Sequence, residues 1–260
     1  MATGLLGKGL PARLAEAFER AVIRRFDRVS TISPSMVAKA LDLGACPEST
    51  LELRNWAEID GVRPDIDPAR LRAELRLPGG KVALYSGNLA MKQGIGIIAE
   101  AARILRERDD LTFLVCGNGH GRDEFAAVVA GLANVRLLPL QPRGRLGELL
   151  AIADIHLLPQ IAGAADAVLP SKLTNMLASG RPVVATALPG TALHGEVEGC
   201  GLCTEPGDGA AFARAIEELA DDPAKAAVLG KAARERAIAR WSAGAILGAF
   251  ERAIVAAAAR

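Results

Sequence analysis

From Lys81 onward the chain alternates short apolar runs of β type with longer stretches of helical period, which confines it to a parallel sheet with crossover helices. Strands are expected at 82–86, 111–116, 135–138, 155–158, 183–186 and 201–204. Between them, apolar residues three and four apart predict helices at 94–107, 122–130, 145–153, 171–179 and 210–220. The fold class is therefore α/β, a doubly wound parallel sheet. The residues before this region read differently: a basic amphipathic helix over 11–27, a short strand 29–33, a helix 34–43 and an extended segment 50–56. That is too little for a sheet of its own. Residues 60–68, with Gly61, Pro64, Pro68 and three aspartates, read as a linker. Two helices, 223–240 and 242–260, follow the last strand. The final one gathers Trp241, Ile246, Leu247, Phe250 and Ile254 on one side and needs a surface to lie against.

Composition removes several function classes. Lys and Arg total 31 against 30 Asp and Glu, interspersed along 260 residues, so no global field favours nucleic acid. The four cysteines form no disulfide ladder and no signal sequence opens the chain, which makes a reducing cytoplasm the expected compartment. The longest apolar runs fall short of the roughly 20 residues that span a bilayer.

In an open parallel sheet, ligands sit at the carboxyl ends of the strands, which confines the search to the strand-to-helix turns. The first turn runs Ser86-Gly87-Asn88-Leu89-Ala90-Met91-Lys92-Gln93-Gly94. Gly87 permits a sharp turn, and Lys92 stands at the start of the next helix, where it reads either as a phosphate ligand or as a solvated loop lysine. The second turn, Cys116-Gly117-Asn118-Gly119-His120-Gly121, invites a dinucleotide reading. The fingerprint needs a third glycine where this chain has Arg122, and no acidic residue follows about 20 positions on, so NAD is rejected and close backbone approach to another ligand is kept. The third turn is richest. With a helix starting near Ser171, the residues Ser171, Lys172 and Asn175 share one face while Leu173, Met176 and Leu177 supply the buried one. Such a cluster suits a phosphate beside a sugar hydroxyl, or equally a capped surface helix. Cys200-Gly-Leu-Cys203 lacks a second pair and reads as two ordinary thiols; His156 reads as a core histidine. No metal-ligand spacing, P-loop or Ser/His/Asp arrangement is present.

The order of these turns resembles the carboxy-terminal domain of family 4 retaining GT-B glycosyltransferases, from about Ile23 to the end. Ser86-Gly87-Asn88 with Lys92-Gln93-Gly94, Leu138-Pro139-Leu140-Gln141-Pro142, Leu157-Leu158-Pro159-Gln160, the stretch 169–186 and Arg54-Asn55-Trp56 are similar to the subgroup of the colanic-acid-biosynthesis fucosyltransferase. The resemblance implies a Rossmann-like domain over 58–240, a remnant of the amino-terminal acceptor domain over 1–57, and a closing helix over 241–260. It implies a nucleoside-diphosphate sugar as donor, with no cofactor and no metal. Lys92 would neutralise the departing diphosphate, with Asn88 beside it; amides at Ser171, Lys172 and Leu173, and those of Gly190 and Thr191, would assist. Gly87, Gly117 and Gly119 would lie against the nucleotide, Leu140, Gln141 and Pro142 would border the base, and Asn175 would meet the ribose where most of the family has a glutamate.

Two departures matter: Asn88 stands where many relatives have arginine, and Asn175 is not acidic; the larger departure is length, since only the final helix and strand of the amino-terminal domain are expected here. The expected function is the donor-binding half of an exopolysaccharide or lipid-linked glycan transferase, with a non-catalytic nucleotide-sugar-binding remnant as the alternative. A sugar-nucleotide epimerase ranks last, for want of cleft carboxylates and histidines. Expected partners are the nucleotide-sugar donor, a separate amino-terminal domain or a second copy, and the inner membrane face through a lipid-linked acceptor; nucleic acid is not expected.

Overall fold

A computed structural model of the protein describes residues 10–90, 93–162 and 169–258. The chain divides into two compact units, one of residues up to Asn55 together with those from Ala243 onward, the other Trp56–Ser242.

The first unit holds α1 (Leu10–Ile23), β1 (Val29–Thr31), α2 (Pro34–Asp42), β2 (Thr50–Glu52) and α11 (Ala243–Ala258). The two strands pair in parallel, with Val29 opposite Thr50. Ser33 starts α2: its side-chain oxygen accepts from the Met36 amide, and Pro34 follows where its missing N–H costs nothing. The apolar sides of α1 and α11 are not closed off, since Leu14, Phe18, Leu247 and Val255 remain exposed, and Ile246 is the buried residue of α11.

The second unit carries α3 (Ala69–Glu74), β3 (Lys81–Ser86), α4 (Gly96–Ile104), β4 (Leu111–Cys116), α5 (Arg122–Val128), β5 (Val135–Leu138), α6 (Leu146–Ala151), β6 (Ile155–Leu158), α7 (Lys172–Ala178), β7 (Val183–Thr186), α8 (Ala192–Val197), β8 (Gly201–Thr204), α9 (Gly209–Asp221) and α10 (Pro223–Trp241). Six strands form one parallel sheet in the order β5-β4-β3-β6-β7-β8. Alternation along each strand divides the core: Val82 and Leu84 face one apolar layer with residues of α6, α7, α8 and α10, while Ala83 and Tyr85 face a second with α4, α5 and α9. The order reverses between β3 and β6, the crevice position of a doubly wound sheet.

Several expectations need correction. The helices α3 and α8, each six residues long, are additional to the expected ones. Residues 60–68 are no loose linker, because Val62 is buried and the Ile59 and Val62 carbonyls accept hydrogen bonds from Arg234. Trp241, read with the final helix, instead closes α10 and is 3% exposed in the core. Among the described residues, Pro223–Ala258 is long and apolar enough to cross a bilayer by length and composition alone. Ser242 interrupts it with φ −75 and ψ 141, and Gly230, Ala233 and Ala237 of α10 are buried.

Candidate functional site

The turns after β3 and β4 clasp each other. The Leu89 amide donates to the Asn118 carbonyl at 2.8 Å, and the Gly121 amide donates to the Leu89 carbonyl at 2.9 Å. A Cβ on Gly117 would fall on the Gly87 carbonyl oxygen, and one on Gly119 would fall on Asn88 Oδ1 and the Leu89 carbonyl. These two glycines are therefore demanded by one turn packing on the other. Arg122, at the place of the missing third glycine, donates through Nη1 to the Gly117 and Leu138 carbonyls at 2.7 and 2.9 Å and locks the tips of β4 and β5.

Lys172 reaches from the start of α7 to this clasp. Its Nζ lies 3.1 Å from the Tyr85 hydroxyl and 4.2 Å from the centre of that ring, with Gly87 directly beneath. No carboxylate among the described residues pairs with it, and burial lowers its pKa to about 8. A part-buried ammonium facing only a neutral phenol keeps an uncompensated charge. Tyr85 in turn donates to the Asn88 carbonyl at 2.7 Å, with Gln93 Oε1 at 3.2 Å as a second acceptor. Burial pushes its phenol well above the ordinary range. The sequence reading missed Tyr85; the signal was a polar aromatic at an inward strand position, which must find a hydrogen-bond partner.

The remaining expected residues scatter around this centre. Lys92 lies outside the described residues, as does the segment 163–168. Ser171 is exposed and makes no capping bond, so the plain-cap alternative does not hold. Leu173 is fully buried in the core and its amide donates to Pro170 O, which removes both its side chain and its N–H from ligand duty. Asn175 does not share its direction with Lys172, because its Oδ1 accepts from the Glu58 amide at 2.9 Å and leaves Nδ2 as the available donor. Thr191 caps α8: its hydroxyl accepts from the His194 amide and donates to the Leu188 carbonyl, and its own amide also goes to Leu188. Of the pair Gly190 and Thr191, only the Gly190 N–H lacks an acceptor among the described residues. Leu140 and Pro142 are exposed beyond β5, and Gln141 Nε2 donates to the Pro139 carbonyl. A cavity of about 310 Å³ opens beside Gly94, Ile97, Glu100, Gln160, Ile161 and Gly207, and none of the expected donor residues lines it.

His156 sits in the sheet with Nε2 2.9 Å from Ser179 Oγ. Ser179 donates to the Met176 carbonyl, so it accepts from His156 Nε2–H, and complete burial lowers the imidazole pKa to about 3. Cys200 and Cys203 are free thiols, the latter raised by burial to about 11, which keeps them protonated. Among the described residues no three His, Cys, Asp or Glu side chains gather as a metal site.

Comparison with known proteins bears on this geometry. Residues 68–236 match the family described as Glycosyl transferases group 1. The putative colanic acid biosynthesis glycosyl transferase WcaI of Escherichia coli (strain K12) is 45% identical over 214 residues, which is 78% of this chain and 52% of that protein. A D-inositol 3-phosphate glycosyltransferase of Salinispora tropica is 30% identical over 209 residues, covering 69% of this chain and 42% of its own length. The chain thus spans about half the length of the curated relatives it matches. Among solved structures, Anabaena HepE in complex with UDP has a TM-score of 0.78 at 20% identity, covering 95% of this chain and 69% of that one. WaaG, a glycosyltransferase involved in lipopolysaccharide biosynthesis, has a TM-score of 0.69 at 20% identity, covering 94% of this chain and 69% of that one. These two share the GT-B fold of which the six-stranded unit is the Rossmann-like domain.

Proposed function

Because this chain belongs to the group 1 glycosyl transferases, we propose that its Trp56–Ser242 unit binds a nucleoside-diphosphate sugar and serves as the donor half of a retaining transferase for exopolysaccharide or lipid-linked glycan. The observation that carries this reading is Lys172, a part-buried cation with no carboxylate partner among the described residues, at the carboxyl end of β3 beside the point where strand order reverses. Such a charge is compensated by an anionic ligand, and a preorganised cation favours the leaving diphosphate more as its charge develops. Lys92 belongs with Lys172 as the second phosphate cation, and Asn88 and the Gly190 amide lie nearest in role as neutral donors. Asn175 Nδ2 meets a ribose hydroxyl, and Leu140, Gln141 and Pro142 border the base. HepE was solved with UDP and with UDP-glucose, which supports this donor class for the shared fold.

The aligned stretch is about half of the curated relatives, so we place acceptor binding and the transfer step in a longer assembly that adds an amino-terminal domain. The donor reaction runs in the cytoplasm, at the inner membrane face when the acceptor is lipid-linked. The test is titration of UDP and inorganic pyrophosphate onto the wild type and onto Lys92→Ala. A hydrogen bond to a charged group contributes about 1.5–3 kcal/mol, so Lys92→Ala should weaken both ligands at least about tenfold, with binding unaffected by a metal chelator. If neither ligand binds the wild type, the donor reading is wrong. Sugar transfer measured after adding a separately expressed amino-terminal domain distinguishes a working half from a module that only binds.

A further inference from the structure

Tyr85 is the one tyrosine of the chain, it is fully buried, and its hydroxyl is the meeting point of two segments far apart in sequence. One hydrogen goes to the Asn88 carbonyl at 2.7 Å, which leaves the oxygen lone pairs turned toward Lys172 Nζ at 3.1 Å. A phenol that donates on one side accepts better on the other. A lysine side chain left free loses rotamer entropy when a ligand orders it, and one already held does not. The same ammonium rests 4.2 Å from the ring centre, so ring and hydroxyl hold it by separate contacts and its remaining two hydrogens are left for an anion.

We propose that Tyr85 is a positioning residue for Lys172, holding its ammonium against the Gly87–Asn88 turn so that the donor diphosphate meets a cation already in place. This rests on the donor reading above and adds to it a residue that no ligand touches. It also couples two parts of the site, since any anion that draws Lys172 away from the phenol loosens the hold on the Asn88 carbonyl.

A double-mutant cycle with UDP and inorganic pyrophosphate tests it. Tyr85→Phe keeps the ring and removes the hydroxyl, and should weaken both ligands by between about twofold and tenfold, the range of one net hydrogen bond. In a Lys172→Met background the same substitution should cost nothing further, because the residue it acts through is gone. Equal losses in both backgrounds would overturn the proposal and leave the donor reading intact, whereas no binding of either ligand to the wild type would overturn both. A second measurement does not depend on the variants folding: with only the tyrosine Cζ isotope-labelled, the wild type should give one tyrosine signal, that of Tyr85. Saturating pyrophosphate should shift that signal; a signal that stays fixed while pyrophosphate binds would overturn the proposal.

Discussion

The two ends of α7 have the same backbone geometry and opposite fates. At the carboxyl end polar groups are spoken for: Ser179 donates to Met176 O at 2.6 Å and receives His156 Nε2–H, and Arg234 donates to the carbonyls of Ala178, Val62 and Ile59 at 2.8, 2.8 and 3.2 Å. Gly180 turns the chain there at φ 70, with Pro64 so close that a Cβ would lie 2.7 Å from it. At the amino end, Ser171 caps nothing and Lys172 finds a phenol in place of a carboxylate. A cation surrounded by carbonyls holds the fold together, while a cation left without counter-charge waits for a ligand. Both residues are basic and partly buried, so the difference lies wholly in their partners.

The largest expected effect breaks the carboxyl end. Arg234→Ala strands three carbonyls and should lower unfolding stability by about 3 kcal/mol in denaturant titration, with UDP affinity of the folded protein unchanged. A matching loss of UDP affinity would erase the distinction between the two ends. Next comes pH. His156 titrates near 3 in the fold against an unfolded value of about 6.5, so between these the unfolded chain binds the extra proton. Stability is therefore full above about 6.5 and falls with pH below it, by up to about 1.4 kcal/mol per unit. The upper part of this window lies above that of Glu74 and Asp110, whose pKa values are held below their ordinary 4.5 and 3.8 by Arg145 and Arg108. Denaturation midpoints at pH 7 and 5 should differ in the wild type and much less in His156→Asn; equal shifts in both would remove the histidine from the account.

At the amino end, Lys172→Met should cost at least about tenfold in pyrophosphate and UDP affinity without lowering stability, because the charge it removes has no carboxylate partner among the described residues. The ammonium titrates near 8, so wild-type affinity should decline as pH rises from 7 to 9.5, and the variant should show no such decline. An unfolding midpoint that drops as far as that of Arg234→Ala would make Lys172 a structural residue. The smallest effect belongs to Asn175, which faces both ways. Asn175→Ala removes the acceptor of the Glu58 amide, about 1 kcal/mol of stability, and should weaken UDP while leaving pyrophosphate nearly unchanged. Equal losses for both ligands would move Asn175 into the phosphate shell.

Much of this is legible in the amino-acid sequence alone. The six strands fall within one residue of their expected bounds, because alternating apolar runs and helical periods are local signals that survive without knowledge of the partner. Helix ends were overrun by several residues, as at α4, where the period continues past the last hydrogen-bonded turn. Lys172 and Asn175 could be placed at a helix start by spacing, and His156 could be set aside as a core residue by strand alternation.

Composition and periodicity determined the parallel α/β class, the strand positions and the turns in which a ligand site must be sought, since each depends on residues within a dozen positions of one another. The tertiary structure decided what those residues do. The glycines at 117 and 119 answer to a turn some thirty residues earlier, Lys172 answers to a phenol 87 positions away, and Asn175 answers to a backbone amide 117 away. No local pattern encodes such pairs, because which side chains meet depends on the strand order of the sheet, and that order is settled by packing across the whole core.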